Sequence, residues 1–259
     1  MMFELIVYDT ANRVATITLN RPEKRNAFSP QLVAELKEAF AAAEADDSVR
    51  VVVLAANGPA FSAGADLAYL QALQSNSYEE NLEDSESLMA LYRQIYMLDK
   101  PVIARVQGHA IAGGCGLATV CDFVLAVPEA NFGYTEVRIG FIPAIVMVFL
   151  LQRISGRAAR ELLLTGKLIP AETAQQYGLV NKVIRAEELD GAVEQLAKEL
   201  AETTSPSAVR MTRQMLGQIS DMSMDEALYF AAEMNAKARE TDDCRKGVDS
   251  FLSKTQINW

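Results

Sequence analysis

The groups best placed to do chemistry in this chain are backbone amides rather than side chains. The stretch Gln107-Gly108-His109-Ala110-Ile111-Ala112-Gly113-Gly114-Cys115-Gly116 follows an apolar, strand-like run, Pro101 to Val106. It leads into a small-residue run, Leu117 to Cys121, that suits a helix. A strand, a glycine loop and a helix start together expose N–H groups to an anion. Glycine also lets the backbone approach a ligand closely. The loop therefore suits a negative group, either a standing charge or one formed during a reaction. Two phosphate motifs do not fit. From Gly114 the chain reads Gly-Cys-Gly-Leu-Ala-Thr, without the third glycine of G-x-G-x-x-G, and no lysine follows for a phosphate loop. What remains is a site for a developing oxyanion, or close packing of a helix on a sheet.

Among side chains, Glu136 stands out by its apolar setting, with Phe132-Gly133-Tyr134 before it and Val137 and Ile139 after it. A carboxyl facing an apolar pocket has a raised pKa, which suits proton transfer near neutral pH. The plainer alternative is a solvated strand-end glutamate paired with Arg138, which would share its strand face. Tyr134 is placed to orient a water in the same region. His109, the only histidine, reads as a packing residue near the pocket entrance rather than a base. Asp66 reads as the N-cap of a helix starting at Leu67. Ala60-Phe61-Ser62-Ala63-Gly64 loosely mimics the nucleophile elbow of serine hydrolases, which makes a hydrolase the rival class. Its first glycine is missing, however, and the sole histidine does not come late in the chain as the triad order requires.

The elements that must position these residues read as a βα series followed by helices. Leu5 to Tyr8 and Val14 to Leu19 alternate like paired strands, with a turn at Ala11-Asn12. Pro30 to Ala45 is an amphipathic helix capped by Ser29, with Pro30 at its first position. Val49 to Ala55 is a strand buried on both faces, and Asn57 to Asp66 a loop. Leu67 to Leu98 is helical with a break at Ser75-Asn76-Ser77, and Asp122 to Val127 is a further strand. Such alternation implies a mostly parallel sheet with right-handed crossovers. After about Asp190 the strand signals stop, and Ala192 to Thr203, Ala208 to Ile219, Met224 to Glu240 and Arg245 to Leu252 are helical. The expected organisation is a core over 1–190 and a helical region over 191–259.

Composition narrows the class further. Half of the 259 residues are hydrophobic and 22% are charged, as in a globular protein with a large core. A net charge of −10 argues against nucleic acid or an anionic membrane as partner. The apolar run Ile139 to Leu151 is too short to span a bilayer. Three scattered cysteines, Cys115, Cys121 and Cys244, fit a reduced intracellular protein. With no CxxC pair and one histidine, a zinc site is not expected. Glu4 and the lack of a basic flank argue against a signal peptide, so a cytoplasmic location is expected.

Five segments, in order and at matching spacing, resemble the crotonase superfamily, the enoyl-CoA hydratase/isomerase family. They are Asn20-Arg21-Pro22 through Asn26-Ala27, Ala60 through Asp66, Lys100-Pro101-Val102-Ile103-Ala104 through Cys121-Asp122, Asn131-Phe132-Gly133-Tyr134-Thr135-Glu136 through Ile142-Pro143, and Asp242 through Lys254. The resemblance implies an α/β fold, a spiral of ββα turns with a C-terminal helical trimerisation region, assembled as a homotrimer or hexamer. It implies an acyl-CoA thioester as substrate, with coenzyme A entering as part of the substrate and no separate cofactor or metal. The amides of Ala65 and Gly113 would stabilise the enolate oxygen. Glu136 matches one of the two glutamates of the family's hydratases, and Gly116 stands where the other belongs. Lys24, Arg25, Ala27, Ala63 and Asp66 fall at the family's CoA-gripping segment, and Phe251 and Lys254 at the tail that reaches a neighbouring subunit's CoA. The apolar helix from Ile142 to Leu151 would line the acyl pocket. The segment Thr135 to Ala144 resembles hydratases of branched unsaturated acyl-CoAs. Hydration of a 2-enoyl-CoA is therefore the leading expectation. A lone acid also suits double-bond isomerisation from C3 to C2, and loss of an acid suits a non-catalytic acyl-CoA binder.

Overall fold

The structure is a computed structural model, and it describes residues 3–259. Strands β1 (Ile6–Ala11) and β2 (Val14–Leu19) form an antiparallel hairpin around Asn12 and Arg13, both at positive φ. Helix α1 (Pro30–Ala45) follows, and Ser29 Oγ accepts from Leu32 N–H as its cap. Strand β3 (Val51–Ala56) is buried along its whole length, and β4 (Ala60–Ser62) lies inside the segment expected to be a loop. Helices α2 (Leu67–Leu73) and α3 (Tyr78–Met97) are split at the expected serines, where Ser77 and Glu80 make a reciprocal capping box. Then come β5 (Val102–Val106), β6 (His109–Ile111), α4 (Gly113–Thr119), β7 (Phe123–Ala126) and β8 (Asn131–Gly133).

After the β1-β2 hairpin, whose strands share one sheet, each ββα unit sends its two strands to different sheets. The first strands join the larger sheet, ordered β1-β2-β3-β5-β7-β10, in which every pair beyond the hairpin is parallel. The second strands join a smaller sheet, β4-β6-β8-β9. Its strands are only two or three residues long, too short to leave a period in the sequence. The chain thus spirals, stacking one ββα turn on the next, as the resemblance implies. After α5 (Ala144–Leu150) and α6 (Gly156–Thr165) come β9 (Ile169–Pro170), α7 (Ala171–Tyr177) and β10 (Lys182–Val183). Core side chains such as Leu32, Leu36 and Phe40 of α1, and Leu54 of β3, are fully buried. Each such apolar side chain stabilises the fold by about 1.5–3 kcal/mol.

Helix α8 (Ala186–Thr203) crosses the 190/191 boundary without a break. Its buried face, Leu189, Val193, Ala197 and Ala201, packs on β3 and β5, so it closes the large sheet. Helices α9 (Pro206–Gln218), α10 (Met224–Glu240) and α11 (Asp242–Ser253) pack mainly on each other and leave Leu216, Leu228, Tyr229, Phe251 and Leu252 exposed. Arg213 of α9 ties them to the core. It donates to the Lys100 carbonyl (2.6 Å) and pairs with Asp122 (2.9 Å), which also accepts from Val102 N–H (2.7 Å). Among the described residues no helix is long and apolar enough to cross a membrane.

Candidate active site

Two loops meet at the head of α4. Phe28 N–H donates to the Gly64 carbonyl (2.6 Å) and Asp66 N–H to the Phe28 carbonyl (3.0 Å), a parallel bridge between Phe28 and Ala65. In this pattern Ala65's own N–H points away from Phe28. Gly64 has φ +81°, and a Cβ there would stand 2.9 Å from Ala112 Cβ and 3.1 Å from Gly113 N. Glycine is required at 64 both for its φ and for this approach. The loops carrying Ala65 and Gly113 are therefore in van der Waals contact.

Gly113 is the first residue of α4, which starts four residues before the sequence suggests and ends at Thr119. Its N–H has no partner within the helix. Residues Gly114 to Thr119 are all buried, and packing overrides the weak helix propensity of three glycines. A Cβ at Gly114 would stand 2.3 Å from the Ser62 carbonyl oxygen, so the loop also serves close packing. Ala112, just before, has φ 51° and ψ −126°, a strained setting for a residue with a side chain that costs on the order of 1–3 kcal/mol.

Glu136 does not end a strand. It opens a short 3-10 turn, Glu136–Ile139, and no ion pair joins it to Arg138 among the described residues. Arg138 instead lies against Gly166. Glu136 Oε2 is buried with no hydrogen-bond partner among the described residues. Burial raises its carboxyl above the usual range, and its own backbone N–H offsets this only in part. Its charge is felt at the head of α4. Burial first, and then Glu136, push the Tyr92 hydroxyl well up, and burial with Glu136 takes the Cys115 thiol to about 12. Tyr92, fully buried on α3, donates to the Gly113 carbonyl (2.7 Å). Tyr92 thus feels the Glu136 charge while its hydroxyl is bonded to Gly113.

Gly116 lies one turn after Gly113. A Cβ there would stand 2.2 Å from Val146 Cγ1 and 3.4 Å from the Tyr92 hydroxyl. Val146 of α5 thus fills the space in which a second acid's side chain would begin. The sequence did not single out Tyr92, and it marked Val146 only as part of the apolar helix Ile142 to Leu151, without its contact to Gly116. Tyr92 shares the buried face of α3 with Leu91 and Ile95, which helical spacing marks as core without showing where a hydroxyl points. The contact of Val146 with Gly116 joins two separate helices.

Other candidates settle differently. Lys24 and Arg25 are exposed on the turn after β2, while Ala27 is buried, Ala63 is half-buried, and Ala63 N–H donates to the Arg25 carbonyl (3.0 Å). This group therefore adjoins Ala65 and Asp66. Asp66 caps α2 through Ala68 N–H (3.0 Å) and pairs with Arg21 (3.0 Å). Burial would raise its carboxyl, but Ala68 N–H and Arg21 outweigh that and hold it low. Asn26, buried at φ 53°, donates to the Asn57 and Ala60 carbonyls (both 2.9 Å) and so ties this loop to β4. Phe251, on α11, and Lys254, which caps its end, are exposed and are not brought to the site of their own chain.

Ser62 is fully buried and donates to the Asn26 carbonyl (2.9 Å). His109 is exposed rather than packed, and its Nδ1 accepts from Asn131 N–H (3.1 Å). No hydrogen bond joins Ser62 to His109 among the described residues, so the hydrolase arrangement is not present. Tyr134 is fully buried, and its hydroxyl is engaged with Thr119 Oγ1 (2.7 Å) rather than facing the pocket with Glu136.

With this geometry in view, comparison with known proteins is direct. The family model for enoyl-CoA hydratase/isomerase matches residues 9–259. A Thermus thermophilus protein, provisionally named an enoyl-CoA hydratase, is 43% identical over 93% of this chain and 95% of its own. The crotonyl-CoA hydratase of Syntrophomonas wolfei is 33% identical over 100% of this chain and 99% of its own. A crystal structure of a Mycobacterium smegmatis enoyl-CoA hydratase superposes with a TM-score of 0.93 at 34% identity, covering 99% of both chains. The fold is that of the crotonases, and the chain belongs to the enoyl-CoA hydratase/isomerase family.

Proposed function

We propose that the protein hydrates a 2-enoyl-CoA, with Glu136 as its proton-transfer residue and the Ala65 and Gly113 amides as donors to the thioester oxygen. The observation that carries this reading is the buried, unpartnered Glu136 Oε2 beside the head of α4. Water adds its oxygen to C3 while Glu136 takes its proton. The electron pair of the double bond moves into the thioester, and the oxygen gains charge against the two amides. Glu136 then returns the proton to C2, which completes addition of one water. Two preorganised donors suit this charge, each worth roughly 3–4 kcal/mol, so the step calls for no metal or separate cofactor. Lys24 and Arg25, exposed beside Ala63, suit the phosphates of coenzyme A. The names of the hydratase relatives support the same reaction.

A second reading, isomerisation of a 3-enoyl-CoA, is favoured by Val146 in the place of the second acid. A panel of 2-enoyl and 3-enoyl-CoA thioesters, straight and branched, separates the two by thioester absorbance and product mass. Hydration predicts 2-enoyl substrates gaining one water. Turnover of 3-enoyl substrates alone selects isomerisation, and binding without turnover selects an acyl-CoA binder. The exposed apolar side chains on α9 to α11 suit a homotrimer or hexamer, which light scattering in solution tests. A cytoplasmic location accords with three free cysteines.

A further inference from the structure

The direction of the Gly113 N–H is set by the peptide between Ala112 and Gly113, hence by ψ of Ala112. That residue sits at φ 51°, ψ −126°, where a side-chain-bearing residue stays only if its surroundings hold it. Three hydrogen bonds do so: the peptide's own oxygen, the Ala112 carbonyl, accepts from Gly116 N–H (3.1 Å), and one further bond stands on each side of the peptide. Ala112 N–H donates to the Gly133 carbonyl (2.7 Å), and the Tyr92 hydroxyl donates to the Gly113 carbonyl (2.7 Å). The Tyr92 ring is itself fixed. It is fully buried on α3, 6.5 Å from the Phe28 ring and edge-on to Phe149 at 6.2 Å. Phe28 is also the residue bridged to Ala65, so the supports of the two amides touch one another.

We propose that Tyr92 is a positioning residue, whose bond to the Gly113 carbonyl holds the strained Ala112–Gly113 peptide so that its N–H is aimed at the thioester oxygen. This rests on the reading of Ala65 and Gly113 given above. Tyr92 does not act on the substrate itself, because its hydroxyl is buried and its proton is committed to Gly113. Burial also keeps it protonated, so it is not a base.

The test uses Tyr92→Phe, which keeps the ring and removes the hydroxyl. One readout is kcat and KM on the best substrate. The other is an aryl-conjugated enoyl-CoA, whose thioester absorption moves to longer wavelength as donors engage its carbonyl oxygen. The expected result is a smaller red shift per bound ligand. It comes with a kcat lower by roughly 10- to 100-fold, less than the 10²–10³ lost with an oxyanion donor, and a nearly unchanged KM. A role in packing alone moves the melting temperature and leaves the shift per bound ligand intact. Ala112→Gly, which frees the strained φ, is expected to reduce the shift as well without lowering stability, and it stands in if Tyr92→Phe does not fold. A full red shift and near-wild-type kcat in the substituted protein overturn the proposal. Absence of any shift or turnover in the wild type overturns the oxyanion reading beneath it instead, and the proposal with it.

Discussion

One flank of the candidate site is Glu136, with a desolvated carboxyl oxygen that has no hydrogen-bond partner among the described residues. The other flank is Gly116, where Val146 Cγ1 fills the space next to Cα and the Tyr92 hydroxyl lies 3.4 Å from where a Cβ would stand, with no carboxyl among these nearest atoms. The two flanks share a buried setting but not a chemistry. A buried carboxyl without a partner is costly to maintain, and a close-packed valine is not. On the proposed reading the first flank does the chemistry and the second fills space, a one-acid site. The largest expected effect falls on the first flank. Glu136→Gln preserves volume and removes the transferable proton, so turnover should drop by roughly 10²–10⁴. A variant that keeps a third of wild-type activity breaks the contrast, because both flanks would then be structural.

The second flank is probed by adding the acid it lacks. Gly116→Glu forces a side chain onto Val146, and overpacking of this kind costs about 1–3 kcal/mol, so the single variant should melt earlier and lose activity. Val146→Ala in the same protein makes room. The double variant should recover stability relative to Gly116→Glu, and its hydration rate on one 2-enoyl-CoA then reports on the added carboxylate. A rate above that of Val146→Ala alone shows that a second acid at 116 reaches the substrate. No difference in stability between the Gly116→Glu variants with and without Val146 shows that Val146 does not occupy the site.

The difference in legibility between the flanks has the same root. Gly113 and Ala65 could be read from the chain because a glycine loop between strand and helix has a local sequence signature. Glu136 could be picked out because apolar residues flank it in sequence, and its carboxyl is buried in the fold. The turn it opens was misread as strand, since a four-residue 3-10 turn after Tyr134 leaves no period. The small sheet escaped for a similar reason, with strands too short to alternate. Val146 and Tyr92 act through contacts across helices α3, α4 and α5, and no spacing within one segment encodes such a contact. Asp66 shows the opposite case, a helix cap readable from four residues and found in place.

A smaller effect separates the donor loops from nucleophile chemistry. Ser62→Ala removes a buried hydroxyl bonded to the Asn26 carbonyl, which should cost about 1–3 kcal/mol in stability. The same change should leave turnover near the wild-type value at a temperature where the variant is folded. Covalent labelling of wild-type Ser62 by a fluorophosphonate, with loss of activity, contradicts this and reopens hydrolysis.

The smallest effect is the most direct measure of how the first flank is built. Burial raises the folded-state pKa of Glu136 above its unfolded value, so folding favours the protonated carboxyl. Its contribution to stability is therefore fully present below the unfolded pKa. It is lost as pH rises through the folded one. Glu136→Gln cannot titrate, and the other ionisable groups are common to both proteins. The difference in melting temperature between variant and wild type should then be small near pH 4 and grow in the variant's favour towards pH 8. A few degrees is the scale expected, since about 1 kcal/mol moves a chain of this length by roughly 2–4 °C. A difference that stays flat with pH means Glu136 is solvated, like an ordinary surface acid. A variant that is less stable than wild type at pH 8 means the carboxylate has a stabilising partner, and the contrast with the Gly116 flank would lose its physical basis.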